Sequence, residues 1–393
     1  QTPVLKMIVD RYKENRDFTP ETYYEIFTDI SHQNGEFLGK WFKEKEDRLK
    51  DAEKADAIVK EIQANPNGKI KSITDKEVSE KQPLLYDLTE LQKDANKKFG
   101  FSADQTLKLM QGLYERHKVL SYPRTSSRYL SKDIQPKLKG LLSNLTDNPD
   151  YTPFVNEVLE KELKITKRIV DDKKVTDHHA IIPTDKKANI NELSPDEKKI
   201  YDLVIKRFIS VFLPECKKGR TEIITEFGLH SFKTMGTVMK EAGWRSVYLD
   251  SPEDKKKSKE KAEPEVMLPK VEPNDPVISK NCESEKKQTK PPPLYTESSI
   301  LAAMETAGKQ VDDEELKEAM KDCGLGTPAT RAQILERLIS VKYIQREKKT
   351  LVPTEKGISI ISYIQDKELL SPELTGSWEK KLNDMAQGNY PRQ

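Results

Sequence analysis

The sequence predicts a multidomain α+β protein. Its 393 residues exceed what one ordinary core holds, which favours two to four domains. Hydrophobic residues make up only 35% and charged residues 34%, a balance that indicates much exposed surface and an open or multi-lobed shape. The patterns run in the order helix, strands, helices, strands, helices. This nesting predicts a β-rich domain interrupted by a helical insertion, with helical segments from both ends of the chain closing a third unit.

Charge and cysteine content exclude several classes of protein. The net charge is only +2, so a nucleic-acid partner would have to meet a local basic patch. The three cysteines, Cys216, Cys282 and Cys323, form no CxxC pair, which argues against a zinc ribbon or a disulfide framework and favours a reducing compartment. No apolar run reaches the roughly 18 residues that a membrane span needs. The chain starts without Met, and we expect it to be a piece of a longer protein.

The first 80 residues alternate between helical and strand-like patterns. Thr2 as a cap and Pro3 at the first position predict a helix over residues 3–14. Residues 22–40 alternate around Asn34-Gly35, a pattern typical of a β-hairpin. A charged helix over 41–63, a turn at 65–68 and a strand over 69–80 follow.

A helical block from about 84 to 212 occupies the middle of the chain. Thr89 and Ser102 are the predicted caps, and Ser102 precedes apolar positions at helical spacing: Ala103, Leu107, Met110 and Tyr114. Strand-like stretches return at 221–227, 231–239 and 244–249. Residues 251–265 are predicted to be a solvated, charge-rich loop, and helices resume after the prolines at 291–293.

One segment of the helical block, LSYPRTSSRYLS at 120–131, places polar chemistry next to a tyrosine. Pro123 disfavours a helical conformation of Tyr122, so we expect that ring on an extended exit from a helix. A phenol with a pKa of about 10 is a weak nucleophile unless cations stabilise its anion and the attacked group. Arg124 falls on the same side of an extended segment, and Ser126, Ser127 and Arg128 add donors. The segment therefore fits attack on a phosphodiester, although a surface loop with a packed tyrosine remains the alternative.

Two further segments carry polar groups. In VTDHHAIIPT (175–184), adjacent histidines are a poor metal pair, but one could hydrogen-bond a phosphate oxygen or pass a proton; a purely structural role stays open. In residues 324–357, Thr327 caps a helix that a basic-tipped hairpin and another helix, capped by Thr354, follow. This winged-helix-like pattern suits a nucleic-acid backbone or a protein partner, and the helix start favours a phosphate.

Taken together, these segments resemble the type IA DNA topoisomerases. LSYPRTSSRYLS is similar to the active-site segment usually written TYPRTDSRYL in the topoisomerase III branch. In the same order along the chain, the other segments that resemble this branch are PLLYDLTELQKDANKKFGFSADQTLKLMQGLYE, DHHAIIPT, KQTKPPPLYTESSILAAMETAGK and GLGTPATRAQILERL. The resemblance covers nearly the whole chain.

The resemblance implies a toroid with a central hole for DNA, made of winged-helix-like helical domains and a β-rich arch domain. The implied segments are 1–16, the start of the C-terminal-type helical domain; 17–80 and 218–285, the two parts of the arch; 81–217, the helical domain with the nucleophile; and 286–393, the winged-helix-like remainder.

The resemblance also assigns roles to single residues. Tyr122 would cut one DNA strand and hold its 5′ end as a phosphotyrosine, which reseals without ATP. Arg124 would steady the scissile phosphate and His178 would meet the nearby backbone, while Gln111 and Glu115 match positions near the active site. The residues implied in DNA binding are Ser126, Arg128, Thr327, Thr330 and Arg331.

Two departures from the family pattern stand out. Ser126 occupies a position where aspartate is common, which removes a charge that could orient Arg124. The family's N-terminal Toprim domain, which carries the Mg²⁺ ligands and a catalytic lysine, has no counterpart here. We therefore expect Mg²⁺ in the full-length enzyme and no cofactor within this chain. The resemblance further implies single-stranded DNA as partner, a helicase as a candidate partner, a monomer without membrane contact, and a cytoplasmic, nucleoid-associated location in bacteria.

Two other functions remain as alternatives. One is a non-catalytic module that binds single-stranded DNA through aromatic stacking and backbone contacts. The other is a transesterase of the tyrosine recombinase kind. In that class the nucleophile normally follows its Arg and His residues, whereas Tyr122 precedes His178.

Overall fold

The computed structural model describes residues 1–175, 177–249, 267–307, 324–366, 368–386 and 388. The chain divides into two compact units, one made of residues 1–18, 83–212 and 292–393, the other of 19–82 and 213–291. Both helices and strands are abundant, so the expected multidomain α+β class is confirmed. Within the described ranges, no helix is both long and apolar enough to span a membrane. The predicted loop at 251–265 and Cys323 lie outside the described residues.

The helices and strands have the following bounds. The α-helices are α1 Thr2–Arg16, α2 Ala52–Ala64, α3 Leu88–Phe99, α4 Ala103–Gln111, α5 Leu138–Ser143, α6 Thr152–Leu159, α7 Pro195–Ser210, α8 Ser246–Leu249, α9 Glu297–Glu305, α10 Pro328–Ser340, α11 Glu355–Tyr363 and α12 Pro372–Ala386. A π-helical turn spans Gly112–Arg116, and 3-10 turns span Lys132–Lys137, Asp172–Lys174, Ile190–Glu192, Gly243–Arg245 and Glu368–Leu370. The strands are β1 Thr22–His32, β2 Gly35–Phe42, β3 Asn67–Glu80, β4 Cys216–Phe227, β5 His230–Glu241, β6 Pro276–Gln288, β7 Ile344–Glu347 and β8 Thr350–Pro353.

The second unit is a closed antiparallel barrel with the strand order β1-β2-β5-β4-β3-β6. Alternate residues of each strand point inward, and α2 packs its buried face on the same core. Gly68 lets β3 approach β4 closely, because a Cβ at this position would lie 2.5 Å from the Glu226 carbonyl oxygen. Barrel closure removes the exposed sheet edges that would otherwise invite pairing with other chains.

The first unit is mainly helical. One of its cores joins the buried face of α1 to α9, α10 and the β7–β8 hairpin. Thr327 and Thr330 form a capping box at the start of α10, and the Thr354 hydroxyl accepts the Gly357 N–H at the start of α11. The predicted order of helix, hairpin and helix in residues 324–357 is therefore confirmed.

Four local predictions are wrong. Thr2 is the first helical residue and not a cap, since Pro3 is tolerated in the first turn, where N–H groups are free. The helix predicted over 41–63 begins only at Ala52, because Trp41 and Phe42 pair with β5 in the barrel. Residues 244–249 are helical, because Gly243, at a φ of +50°, turns the chain away from β5.

The fourth error concerns the start of α3. Asp87 is the cap, and its carboxylate accepts the Glu90 N–H at 2.7 Å. Thr89, the predicted cap, is fully buried, and its hydroxyl accepts a hydrogen bond from Arg331 at 2.8 Å. The division of the chain at residues 16, 80, 217 and 285 stays a prediction.

Candidate functional site

The segment that carries Tyr122 is irregular and is held by residues 178–184. The Ser121 N–H donates to the Ile182 carbonyl oxygen at 2.9 Å, and the Ile182 N–H donates back to the Ser121 hydroxyl at 2.9 Å. The Thr184 N–H donates to the Val119 carbonyl oxygen at 3.1 Å. Tyr122 lies outside any helix, as Pro123 predicts. These bonds hold the backbone of the segment on the side that leads into Tyr122.

The Tyr122 ring lies between two other rings. The His178 ring is inclined at 42° with its centroid 4.3 Å away, and the Tyr114 ring stands edge-on at 5.4 Å and 82°. Tyr122 is half-buried, and its hydroxyl has no hydrogen-bond partner in the described part of the chain. The ring is therefore packed while its reactive oxygen stays available.

Arg124 is the cation nearest to Tyr122 along the chain. Its side chain is half-buried and has neither an ion pair nor a hydrogen bond with any described residue. A half-buried guanidinium without a protein acceptor is suited to bind an anion such as a phosphate. Ser126, two residues further along the chain, is exposed.

Hydrogen bonds of Thr125 hold the backbone of His178 beside the segment that carries Tyr122. The Thr125 hydroxyl donates to the His178 carbonyl oxygen at 2.8 Å and accepts the Ser127 N–H at 3.0 Å. His178 itself is exposed, whereas Nδ1 of His179 lies 2.7 Å from the Ala180 carbonyl oxygen. The two histidines thus differ: the first faces the tyrosine, and the second bonds to the backbone of the next residue, Ala180.

Two of the expected donors are already used within the protein. Arg128 donates from Nε to the Leu85 carbonyl oxygen at 3.1 Å, and its Nη2 lies 3.9 Å from Glu90. Ser127 is buried, and its hydroxyl donates to the Lys174 carbonyl oxygen at 2.9 Å. Their contacts hold the segment in place, and a role of Arg128 in DNA binding stays a prediction.

Gln111 and Glu115 line a different concavity. It has a volume of about 580 Å³, includes Lys108 and Glu197 in its wall, and does not include Tyr122. Gln111 ends α4, and Glu115 lies on the π-helical turn. Both residues thus line one groove, and their part in the reaction stays a prediction.

The residues expected to bind a strand at the start of α10 fall into two groups. Thr327 and Thr330 are exposed, and the Thr327 N–H donates to the Thr330 hydroxyl at 3.0 Å. Arg331 is only 2% exposed and donates to the Thr89 hydroxyl at 2.8 Å. The Arg331 side chain therefore points into the protein, toward the start of α3.

The start of α3 also carries the most strongly perturbed acid of the site. Asp87 is 4% exposed, and this burial raises its pKa to about 7, against the opposing effects of the Glu90 N–H and the Arg128 charge. The neighbouring Leu88 N–H donates to the Thr125 carbonyl oxygen at 3.2 Å. Asp87 therefore lies beside a backbone hydrogen bond that joins the start of α3 to the segment of Tyr122.

Sequence reasoning missed three residues of this region. The helical spacing predicts an apolar-face position for Tyr114, yet its ring is exposed and contacts Tyr122. Asp87 was passed over for Thr89, although Asp followed three residues later by Glu is itself a cap signal. Glu197 carries a signal too, since it follows Ser194 in a capping-box pattern, but nothing in the sequence connects it to Tyr122.

Comparisons with known proteins agree with one another. The family model described as DNA topoisomerase matches residues 1–393. DNA topoisomerase 3 from Bacillus anthracis is 39% identical over 404 residues, which cover 100% of this chain and 53% of the relative. DNA topoisomerase 3 from Bacillus subtilis (strain 168) is 36% identical over 394 residues, 99% of this chain and 53% of the relative. The chain thus spans about half the length of the curated relatives it matches.

A solved structure supports the fold. Full-length topoisomerase I from Thermotoga maritima matches with a TM-score of 0.70 at 24% identity, over 99% of this chain and 59% of that one.

Proposed function

Because this chain belongs to the type IA DNA topoisomerase family, we propose that it is the part of such an enzyme that binds single-stranded DNA and supplies the cleaving tyrosine. The whole enzyme relaxes or decatenates DNA by passing a strand through the transient break. One observation carries the proposal: among the described residues, neither the Tyr122 hydroxyl nor the Arg124 guanidinium of the same segment has a hydrogen-bond partner, and the Tyr122 ring packs against His178.

The reaction at Tyr122 is a transesterification. The phenolic oxygen forms a bond to phosphorus while the bond from phosphorus to the 3′ oxygen breaks, so the 5′ phosphate stays on Tyr122. The phenol proton leaves, and the departing 3′ oxygen takes up a proton. One phosphoester replaces another, so attack by the 3′ hydroxyl reverses the step without ATP.

The neighbouring side chains act on the phosphate and on the ring. Arg124 binds the non-bridging oxygens and offsets the charge that builds up during attack. His178 packs on the Tyr122 ring and can donate a hydrogen bond to the DNA backbone from its exposed side. Thr327 and Thr330, exposed at the start of α10, offer hydroxyls to the same strand, and the helix dipole favours its phosphates there.

Magnesium enters the proposal only through the full-length enzyme. In the described ranges, no group of three or more His, Cys, Asp or Glu side chains could hold a metal ion. The described residues thus offer no such cluster for Mg²⁺, and on the family resemblance we assign the ion to the Toprim domain of the full-length enzyme. A helicase partner, a monomeric state and a location at the bacterial nucleoid in the cytoplasm belong to the same proposal.

Trapping the covalent intermediate tests the proposal. The chain, supplied together with a Toprim domain and Mg²⁺, is mixed with an end-labelled single-stranded oligonucleotide and denatured. Protein should be attached to the 5′ end at the break, and Tyr122→Phe should abolish the adduct. Tyr129→Phe is the matched control, because Tyr129 lies in the same segment but faces Lys174, and its adduct should persist.

Two outcomes would contradict this assignment. A 3′ linkage would point to a transesterase of the tyrosine recombinase kind. Binding without any adduct would leave the chain as a non-catalytic module for single-stranded DNA.

A further inference from the structure

The residues that lead into the nucleophile segment form an unusual turn. After α4 ends at Gln111, the chain makes one π-helical turn, in which the His117 N–H donates to the Gly112 carbonyl oxygen at 3.1 Å. Such turns are rare and mostly occur as single turns within helices, often at functional sites. Contacts from elsewhere in the fold must therefore favour this conformation.

Glu197 of α7 supplies these contacts. Its side chain is almost fully buried, and Oε1 lies 2.6 Å from Nη2 of Arg116 and 3.4 Å from Nε2 of His117. The other oxygen, Oε2, accepts the Ser194 N–H at 2.9 Å. A Cβ at Gly112 would lie 2.9 Å from Glu197 Oε1, so the carboxylate also packs against the start of the turn. One side chain thus contacts both ends of the π-helical turn.

The Glu197 carboxylate is ionised at neutral pH. Burial alone would raise its pKa, but the hydrogen bonds from Ser194 and the charge of Arg116 outweigh burial and hold the pKa below its ordinary value. The contact to Arg116 is therefore a charge-assisted hydrogen bond, which is about twice as strong as a neutral one.

The turn presents Tyr114 to the nucleophile. The Tyr114 ring stands edge-on to the Tyr122 ring, with the centroids 5.4 Å apart. The Leu113 carbonyl oxygen, in the same turn, accepts the Val119 N–H at 3.0 Å and so connects the turn to the nucleophile segment. With the His178 ring at 4.3 Å on another side, Tyr114 limits how the Tyr122 ring can rotate.

We infer that Glu197 is a positioning residue for Tyr122, acting through the π-helical turn and Tyr114; this rests on the proposed function of Tyr122 as nucleophile. In-line attack needs the phenolic oxygen about 3–3.5 Å from phosphorus with its orbitals aligned. A displacement of about 1 Å can cost up to a hundredfold in rate, so loosening the turn should slow cleavage without weakening the binding of DNA.

Glu197→Gln in the full-length enzyme is the decisive variant. Its amide oxygen can still accept the Ser194 N–H, which retains the capping box, but no anion faces Arg116. We expect single-turnover cleavage to fall about tenfold, with the Kd for single-stranded DNA and the Tm nearly unchanged. Asp196→Asn is the matched control, because Asp196 lies in the same helical turn and pairs with Lys199 at the surface.

A double variant separates positioning from general loosening of the fold. Tyr114→Ala should slow cleavage as Glu197→Gln does, and the combination should be no slower than the more impaired single variant, since both act through one ring. The inference would be overturned if Glu197→Gln cleaved at the wild-type rate. It would also be overturned if the fold reductions of the two single variants multiplied in the double variant.

A measurement that does not depend on cleavage separates this test from the test of the proposed function. With 3-fluorotyrosine at position 122, the fluorine resonance should shift or broaden in Glu197→Gln and stay unchanged in Asp196→Asn. An unchanged resonance in Glu197→Gln refutes the positioning role whatever the activity. A wild-type enzyme that forms no adduct refutes the proposed function, while the resonance still decides whether Glu197 orients the ring.

Discussion

Asp87 should make the stability of the helical unit depend on pH. It is 4% exposed, and its pKa is raised to about 7, mainly by burial. The unfolded chain releases this proton near pH 4, whereas the folded protein keeps it up to about pH 7. Between these values the folded state binds more protons than the unfolded state, so the free energy of unfolding falls as the pH rises.

The magnitude follows from the two pKa values. The difference between 3.8 and about 7 corresponds to about 4 kcal/mol, of which about 3 kcal/mol is lost between pH 5 and pH 8. Asp87→Asn removes the ionisable group and keeps an oxygen that can accept the Glu90 N–H, so the helix cap survives. The difference in the free energy of unfolding between the variant and the wild type should therefore shift by about 3 kcal/mol in favour of the variant from pH 5 to pH 8.

Urea unfolding followed by circular dichroism at pH 5 and pH 8 measures this difference. With a slope of about 3 kcal/mol per molar urea, the gain appears as a shift of the midpoint by about 1 M. Asp147→Asn is the control, since Asp147 is exposed and paired with Lys187 at the surface, and it should follow the wild type at both pH values. An equal pH response in the wild type and Asp87→Asn would refute a buried, protonated Asp87.

Three further outcomes follow from the same structure. In urea unfolding, Glu297→Ala should lower the free energy of unfolding by roughly 2–3 kcal/mol, because Glu297 accepts hydrogen bonds from a buried N–H at the start of α4 and from Nε of Arg346. The control Glu336→Ala removes only a surface partner of Arg346 and should lower it by about 0.5 kcal/mol. Arg331→Met should destabilise the fold by about 2 kcal/mol by removing the bond to Thr89, and equal stability would contradict its burial. DNA affinity should fall by about 0.7 log units per log unit of salt for each phosphate contacted, and a flat response in a salt titration would exclude binding dominated by the backbone.

Two of the wrong predictions, the helix beginning at residue 41 and the cap at Thr89, have a common cause. Residues 41–51 have helical composition, yet Trp41 and Phe42 extend a strand because the barrel pairs them with β5. Thr89 has a side chain typical of a helix cap, but it is buried and its hydroxyl accepts a hydrogen bond from Arg331. In each case a partner far away in the sequence overrode a local preference.

Local sequence is enough to predict the α+β class, the caps at Ser102 and Thr327, the hairpins and the non-helical conformation of Tyr122, since these depend on neighbouring residues such as Pro123. The family motifs are equally local, and their order along the chain carries the resemblance. Which groups surround the tyrosine depends instead on tertiary packing. The His178 ring meets Tyr122, and Glu197 meets the π-helical turn, because backbone pairing and helix packing join segments that are distant in the chain. Such proximity leaves no periodic signal in a single sequence, so these contacts emerge only in the folded chain.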